Sequence, residues 1–283
     1  KLVERKTDRV VRLMNVEDKS MGIVAGLKDG VLSAPFSAPF SGFHYTHEYI
    51  MYDVISDFIS DIKKFVVENN IKKVTITLPP VIYQTNFNAK CINAFIRNGF
   101  SGGAPDLTQW VDLNKFDGSW VRSSVAQNIR KAMNNSLTFN VVYDKRSMAK
   151  VYCIIYRNRK MQGRKMYMNL DDIFEVSKIF PVDFFLIRDS CQAGVGGAIF
   201  YRGHPKIAQG IFLGDDVDNR SIGIMDILYS GVYDYYKNMG FNYIDLGISS
   251  LDGEPNTGLI RFKEIHNCNT SIRYTFSWSP NLK

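Results

Sequence analysis

A strand, helix and strand cassette occurs twice in this chain, roughly 170 residues apart, and it constrains the fold more than any other feature. The first copy runs from the Pro- and Gly-punctuated stretch Ser33 to Phe43, through an amphipathic run from Tyr49 to Asn69, into a β-rich segment from Lys73 to Leu78 closed by Pro79 and Pro80. The second runs from Ser221 to Gly223, through Met225 to Met239, into Tyr243 to Ile248. In the first helix Ile50, Val54, Phe58 and Ile62 recur every four residues with Met51, Ile55, Ile59 and Val66 beside them, so one wide apolar face must meet a sheet. Ile224, Leu228 and Val232 repeat the pattern. Both helices end at an Asn or Gly signal and hand over to a short strand. The repeat is one of pattern rather than identity, and it predicts a duplicated α/β lobe with a cleft between the copies.

The remaining elements follow from period and punctuation. Strands are predicted at Arg9 to Met14, Gly22 to Lys28 and Val31 to Ser33, with Asp29 and Gly30 as a tight hairpin turn. A helix from Ala89 to Asn98 and a strand from Gln109 to Leu113 close the first lobe, so the chain divides into residues 1–120 and 121–283, the second part opening with a basic linking helix from Ser123 to Asn135. Beyond it come a strand from Thr138 to Tyr143 and helices from Ser147 to Gln162 and Leu170 to Ile179. Strands from Phe184, Gly196 and Ile207 follow, then the second cassette, a short helix from Leu259 to Ile265, and one strand from Ile272 to Trp278.

A chain of 283 residues, 45% hydrophobic, is long enough for two cores. No apolar run approaches the ~20 residues a membrane helix needs, and Lys1-Leu2-Val3-Glu4-Arg5 is too charged for a signal peptide, so a cytoplasmic protein without an integral membrane segment is expected. The missing initiator Met leaves open what precedes Lys1. Cys91, Cys153, Cys191 and Cys268 have no CxxC spacing and are expected to be reduced and mostly buried. His44 and His47 form an HxxH without a third ligand nearby, so no metal site is predicted.

The net charge of +7 is unevenly placed: between Val121 and Leu170 eleven Lys or Arg stand against the single acid Asp144, leaving the rest of the chain net negative. Such a block is a footprint for phosphates of a nucleic acid, a nucleotide carrier or a lipid; the alternative is a solvated helix face. In the Tyr243 strand, Asp245 shares a face with Gly247 and Ser249, where it is either a base or substrate anchor, or a carboxylate tying down a neighbouring loop. The Pro35 to Phe43 stretch and Tyr83 offer aromatic surface for an acceptor through Phe36, Phe40, Phe43 and Tyr83, or form a rigid edge segment. No G-x-S-x-G element is present to support a nucleophilic triad.

Five segments carry a resemblance: Ser33 to Phe43 (SAPFSAPFSGF), Gln127 to Ala132 (QNIRKA), Asn158 to Gly163 (NRKMQG), Tyr243 to Gly247 (YIDLG) and Gly258 to Glu264 (GLIRFKE). In order along nearly the whole chain they resemble the FemAB-type branch of the GNAT acyltransferase superfamily. The resemblance implies an α/β (α+β) fold of two tandem GNAT-like lobes, each a mixed, mostly antiparallel sheet flanked by helices, the first lobe abbreviated. It implies transfer of an aminoacyl or acyl group from an anionic, tRNA-like carrier to an amine acceptor, such as a peptidoglycan (cell-wall) precursor. It implies no permanently bound cofactor, aminoacyl-tRNA or acyl-CoA being the donor substrate. An acyl-CoA-dependent N-acetyltransferase and a catalytically silent binding module are the alternatives. GNAT enzymes hold pyrophosphate on helix-start amides, and Arg220 to Met225 stands at that place, offering Arg220 and Gly223; Met225 replaces a small residue there, which argues against CoA. The resemblance puts Lys263 and Arg261 at the donor end of the channel; with Asp245 of the Tyr243 strand they are the catalytic candidates, and the basic block offers Arg159, Lys160, Arg164 and Lys165 to the donor's phosphates. Lys263 is expected to help the oxyanion from an exposed helix face, so that its removal barely alters stability. Oligomeric state is not legible.

Overall fold

A computed structural model describes residues 6–16, 19–47, 49–216 and 223–280, which form two compact units. The units are not the two contiguous stretches meeting at residue 120. The first comprises residues 1–108, 250–255 and 271–283, and the second 109–249 and 256–270. The physical reason is that the chain's last strand pairs back onto the first cassette.

The first unit is built on a six-stranded sheet. Its main path runs β1 (Arg9–Met14), β2 (Met21–Lys28), β3 (Val31–Ala34), β5 (Lys73–Thr77) and β15 (Thr275–Trp278), and the short β4 (His44–Tyr45) pairs with β2. The β2–β3 turn has φ of 52° at Asp29 and 80° at Gly30, as a right-twisted hairpin requires. β3 and β5 run parallel, joined through α1 (Tyr52–Glu68), and α2 (Thr85–Arg97) follows β5. The four-residue spacing read in the sequence buries Ile55, Phe58, Ile59, Ile62 and Val66 of α1, while Met51, expected on that face, is 66% exposed. Ile50 lies before the helix and is buried all the same.

The second unit rests on a seven-stranded sheet ordered β14, β6, β11, β10, β9, β8, β7, of which β6 (Asp106–Asp112) and β14 (Asn269–Arg273) run across the division. The other strands are β7 (Thr138–Val142), β8 (Val182–Arg188), β9 (Gly194–Tyr201), β10 (Ile207–Asp215) and β11 (Tyr243–Ile248). Both faces are covered, so β8 reads as a continuous apolar run: Phe185 and Ile187 join one core with α6 (Ile224–Asn238), and Phe184 and Leu186 join the other with α4 (Lys145–Met161) and α5 (Leu170–Ser177). The basic helix α3 (Ser123–Asn134) packs on α6. α4 starts at Asp144, whose side chain accepts from Ser147 N, and α5 has a full capping box between Asn169 and Asp172. The glycine cluster at 194–197 opens β9 with a bulge opposite Arg188.

The C-terminal segment expected as one strand is two. β14 and β15 break at Tyr274 and belong to different sheets. A hairpin missed by the sequence reading, β12 (Ser250–Leu251) with β13 (Glu254–Pro255), is held in the first unit by Asp106, whose Oδ1 accepts from Ser250 Oγ at 2.7 Å and from Gly253 N at 3.2 Å. Arg273 reaches the other Asp106 oxygen at 3.3 Å and also donates to Pro39 O at 3.0 Å, tying down the 33–43 stretch. All four cysteines are free, and the expectation of burial fails for Cys153 and Cys191, both exposed. Among the described residues no group of three His, Cys, Asp or Glu could hold a metal, and no helix is long and apolar enough to cross a membrane.

Candidate active site

The centre of the second unit is a parting of two parallel strands. β10 and β11 pair at Ile207 with Tyr243, Ala208 with Ile244 and Gln209 with Asp245, and beyond this point both continue without pairing to each other. A bulge between Gly210 and Phe212 turns β10 immediately past the last pair. The parting leaves backbone groups of both strands without ladder partners, and such groups must be satisfied elsewhere.

Lys263 holds three consecutive carbonyls of β11 just past this point. It lies in the last turn of α7 (Thr257–Ile265), is 3% exposed, and donates from Nζ to the carbonyls of Leu246 at 2.8 Å, Gly247 at 3.1 Å and Ile248 at 3.3 Å. All three ammonium protons are thereby used. This corrects the expectation of an exposed lysine free to meet an oxyanion: Lys263 pins the departing end of β11, whereas Arg261, two residues earlier, is the exposed cation of α7. Burial pulls the Lys263 pKa from 10.5 down to about 8, against the opposing pull of Cys268 and Asp245. Between those two pH values the unfolded chain holds a proton that the folded chain has released, so this group makes stability rise with pH from about 8 to 10.5 and adds no slope below. In urea unfolding at pH 7 to 10, the parent is expected to gain on Lys263→Met by up to roughly 3 kcal/mol across that window; a gap independent of pH would contradict it.

Asp245 is 1% exposed and sits at the last paired position. Its Oδ1 accepts from Gly247 N at 2.8 Å and its Oδ2 from Gln209 Nε2 at 3.3 Å, so it ties both strands at the point of parting. Gly247 has φ of 70°, a left-handed turn for which glycine is the residue without steric penalty. On the β6 side, Gln109 accepts from Ser249 Oγ at 2.6 Å and donates to Ile260 O at 3.3 Å, linking β11's exit to α7.

The start of α6 is equally fixed. Gly223 caps it with φ of 75°, and a Cβ there would lie 2.6 Å from Asn128 O of α3, so only glycine fits. Asp226, in the first turn, lies 3.2 Å from His266 Nε2, within ion-pair distance though outside hydrogen-bond geometry, and 3.4 Å from Asn128 Nδ2. His266 is fully buried, its Nδ1 2.7 Å from Phe262 O and its ring among Phe262, Tyr229 and Trp120. Arg220, the other residue expected at this place, lies outside the described residues.

α4 brings one cation inward. The Arg159 guanidinium is 5.6 Å from the Phe212 ring of β10 and donates to Lys165 O at 3.3 Å, and its buried Nε has no partner. Burial, then Arg164, lowers its pKa, but a guanidinium remains protonated. Lys160, Arg164 and Lys165 are exposed. Asn158 fixes this helix end to β10 by donating to Asp215 O at 2.9 Å and Oδ1 at 2.7 Å. In the first unit Phe43, expected to face an acceptor, is 2% exposed and stacks with Phe95 at 5.7 Å as core; Phe36, Phe40 and Tyr83 are half-buried, with the Phe40 and Tyr83 rings 4.8 Å apart.

The sequence reading missed Gln109, Asn128, Gln209, Asp226, Ser249 and His266. A signal existed for one of them: Leu259, Phe262, Lys263 and His266 are spaced i, i+3, i+4, i+7, the buried stripe of a helix.

These features define a class of fold, tandem GNAT-like lobes. A tandem GNAT protein from the clavulanic acid biosynthesis pathway superposes on the chain with TM-score 0.53 at 11% identity, covering 93% of this chain and 80% of that one. The fold is also similar to that of FemX. FemX matches with TM-score 0.69 at 11% identity over 96% of this chain and 88% of that one. The C-terminal domain of a protein assigned as a lysylphosphatidylglycerol synthetase from Agrobacterium fabrum matches with TM-score 0.66 at 13% identity over 99% and 87%. No family model and no curated protein matches the sequence.

Proposed function

We propose that the chain is an acyltransferase that moves an aminoacyl or acyl group from an anionic carrier to an amine. The observation that carries this reading is the parting of β10 and β11 at Gln209 and Asp245, with the half-buried Arg159 packed on the β10 arm. A parting of this kind offers backbone hydrogen-bonding groups to an extended donor, and Arg159, with Lys160, Arg164 and Lys165 nearby on the chain, supplies cations for its phosphates. The amine nitrogen attacks the donor's ester carbonyl, the C–N bond forms, the C–O bond breaks, and the amine proton passes to the leaving hydroxyl. Such a reaction asks the protein chiefly for position and electrostatics. Asp245 and Lys263 hold the two arms in place, and Arg261 offers the exposed charge at the donor end. Phe36, Phe40 and Tyr83 remain the proposed acceptor surface, with a cell-wall precursor as the acceptor.

The test offers two donors to the purified chain, mixed aminoacyl-tRNA and acetyl-CoA, each with and without an amine-bearing peptide. The expected result is loss of the tRNA ester that depends on the amine, with no release of CoA thiol. Release of thiol alone moves the donor to acyl-CoA. Consumption of neither, across a panel of amines, ends the enzymatic reading and leaves a binding module.

A further inference from the structure

Among the described residues, the outer edge of the first unit's sheet is bare. β1 pairs with β2 along one side and, among the described residues, with nothing along the other. A groove of ≈ 360 Å³ opens between β1 and α1, and its floor is apolar, formed by Leu13, Met14, Phe58, Ile62 and Phe65. The rim carries both signs, Arg12 and Lys64 against Asp61 and Glu68. A bare edge beside an apolar groove is a template for strand addition.

We propose that this edge pairs with the same edge of a second copy of the chain, β1 antiparallel to β1 about a twofold axis, each α1 covering the other copy's strand. The first reason is the alternation of β1 itself. Val11 is buried and Leu13 packs against the core, so Arg9, Val11 and Leu13 share the face turned to α1. A twofold-related β1 presents that same face to the same side, bringing Leu13, half-buried in its own copy, and the exposed Arg9 to a groove whose floor is apolar and whose rim holds Asp61 and Glu68. The second reason is the helix above it. Asp61 and Lys64 form an exposed i, i+3 pair at 2.8 Å, and antiparallel α1 helices set each Lys64 against the acids of the other copy, so the rim is self-complementary. The third is exposed apolar surface: Met14 at 55%, Val16 at 88% and Val67 at 54% all lie on β1, the turn after it, or α1. The proposal is independent of the reaction the chain performs.

Sedimentation of the full chain from about 1 to about 100 μM is expected to show a monomer–dimer equilibrium, with slower amide exchange over residues 9–14 as the dimer fills. Met14→Glu with Lys64→Glu, which puts an acid into the floor and replaces a rim cation by an acid, should weaken the dimer by about tenfold or more without moving the unfolding midpoint. The exchanged pair Asp61→Lys with Lys64→Asp keeps the rim complementary and should dimerise like the parent. A parent that stays monomeric throughout overturns the proposal. So does a dimer that leaves exchange over residues 9–14 unchanged, one indifferent to the acidic variant, or one that the exchanged pair abolishes.

Discussion

Lys263→Met is expected to lower the unfolding free energy by about 3 kcal/mol at pH 7 and to cut transfer by about 10² or more. Three carbonyls of β11 lose their donor, each at roughly 1–3 kcal/mol, while relief of a buried charge returns about 3 kcal/mol of that cost. The loss of transfer follows from position: with β11 unpinned at Leu246 to Ile248, the two arms no longer hold a fixed separation, and a displacement near 1 Å is enough to cost about 10²-fold. Arg261→Ala is the control. Its side chain is exposed on the same helix, so stability should change by less than about 0.5 kcal/mol while binding of an anionic donor weakens. Urea unfolding of the two variants beside the parent decides it. If Lys263→Met were as stable as the parent with a native near-UV spectrum, the pinning role would be wrong.

The second large effect concerns the basic block. Reversal of Lys160 and Arg164 to Glu, on exposed positions at the end of α4 and just past it, is expected to lower tRNA affinity by about tenfold or more at low salt. It should also flatten the salt dependence, since each phosphate contact contributes roughly −0.7 to −0.9 to the slope of log K against log salt. Arg159→Met, by contrast, removes a cation packed on Phe212 and should weaken both tRNA and smaller anionic donors while changing the slope by about one contact. Coenzyme A, titrated in parallel, should show a shallow dependence in every variant. Equal slopes for the parent and the double variant would reduce the block to solvated surface.

Local chemistry made most of the elements legible. The four-residue spacing in α1, the Asp29–Gly30 turn and the alternation within β1 are properties of a few consecutive residues, and the structure repeats them within a few positions at the ends. α2 starts at Thr85 rather than at Ala89, because Phe87 in its first turn is buried and extends the stripe of Cys91 and Ala94 by one turn beyond where the sequence reading began it. The segments that carried the resemblance also fall where function was sought: YIDLG forms β11 and the turn after Asp245, GLIRFKE supplies most of α7, and NRKMQG is the end of α4.

Side-chain type misled where a polar group is buried for its hydrogen bonds. Lys263 and His266 occupy the buried stripe of α7 by spacing, yet a lysine near a chain terminus reads as solvated, because only partners far away in sequence can make its burial tolerable. Phe43 erred the opposite way, an aromatic taken for binding surface that the first unit's core absorbs. The sequence by itself determined the two cassettes, the helix and strand periods and the uneven charge, since these depend on neighbours along the chain. The tertiary structure alone decided that the last strand breaks at Tyr274 and serves two sheets, that β10 and β11 part after three pairs, and that Lys263, Asp245 and Gln209 hold the parting. Each of those outcomes depends on partners far along the chain, 15 residues apart for Lys263 Nζ and Ile248 O and 198 for the hydroxyls of Thr77 and Thr275 on the paired β5 and β15, distances over which no local period carries information.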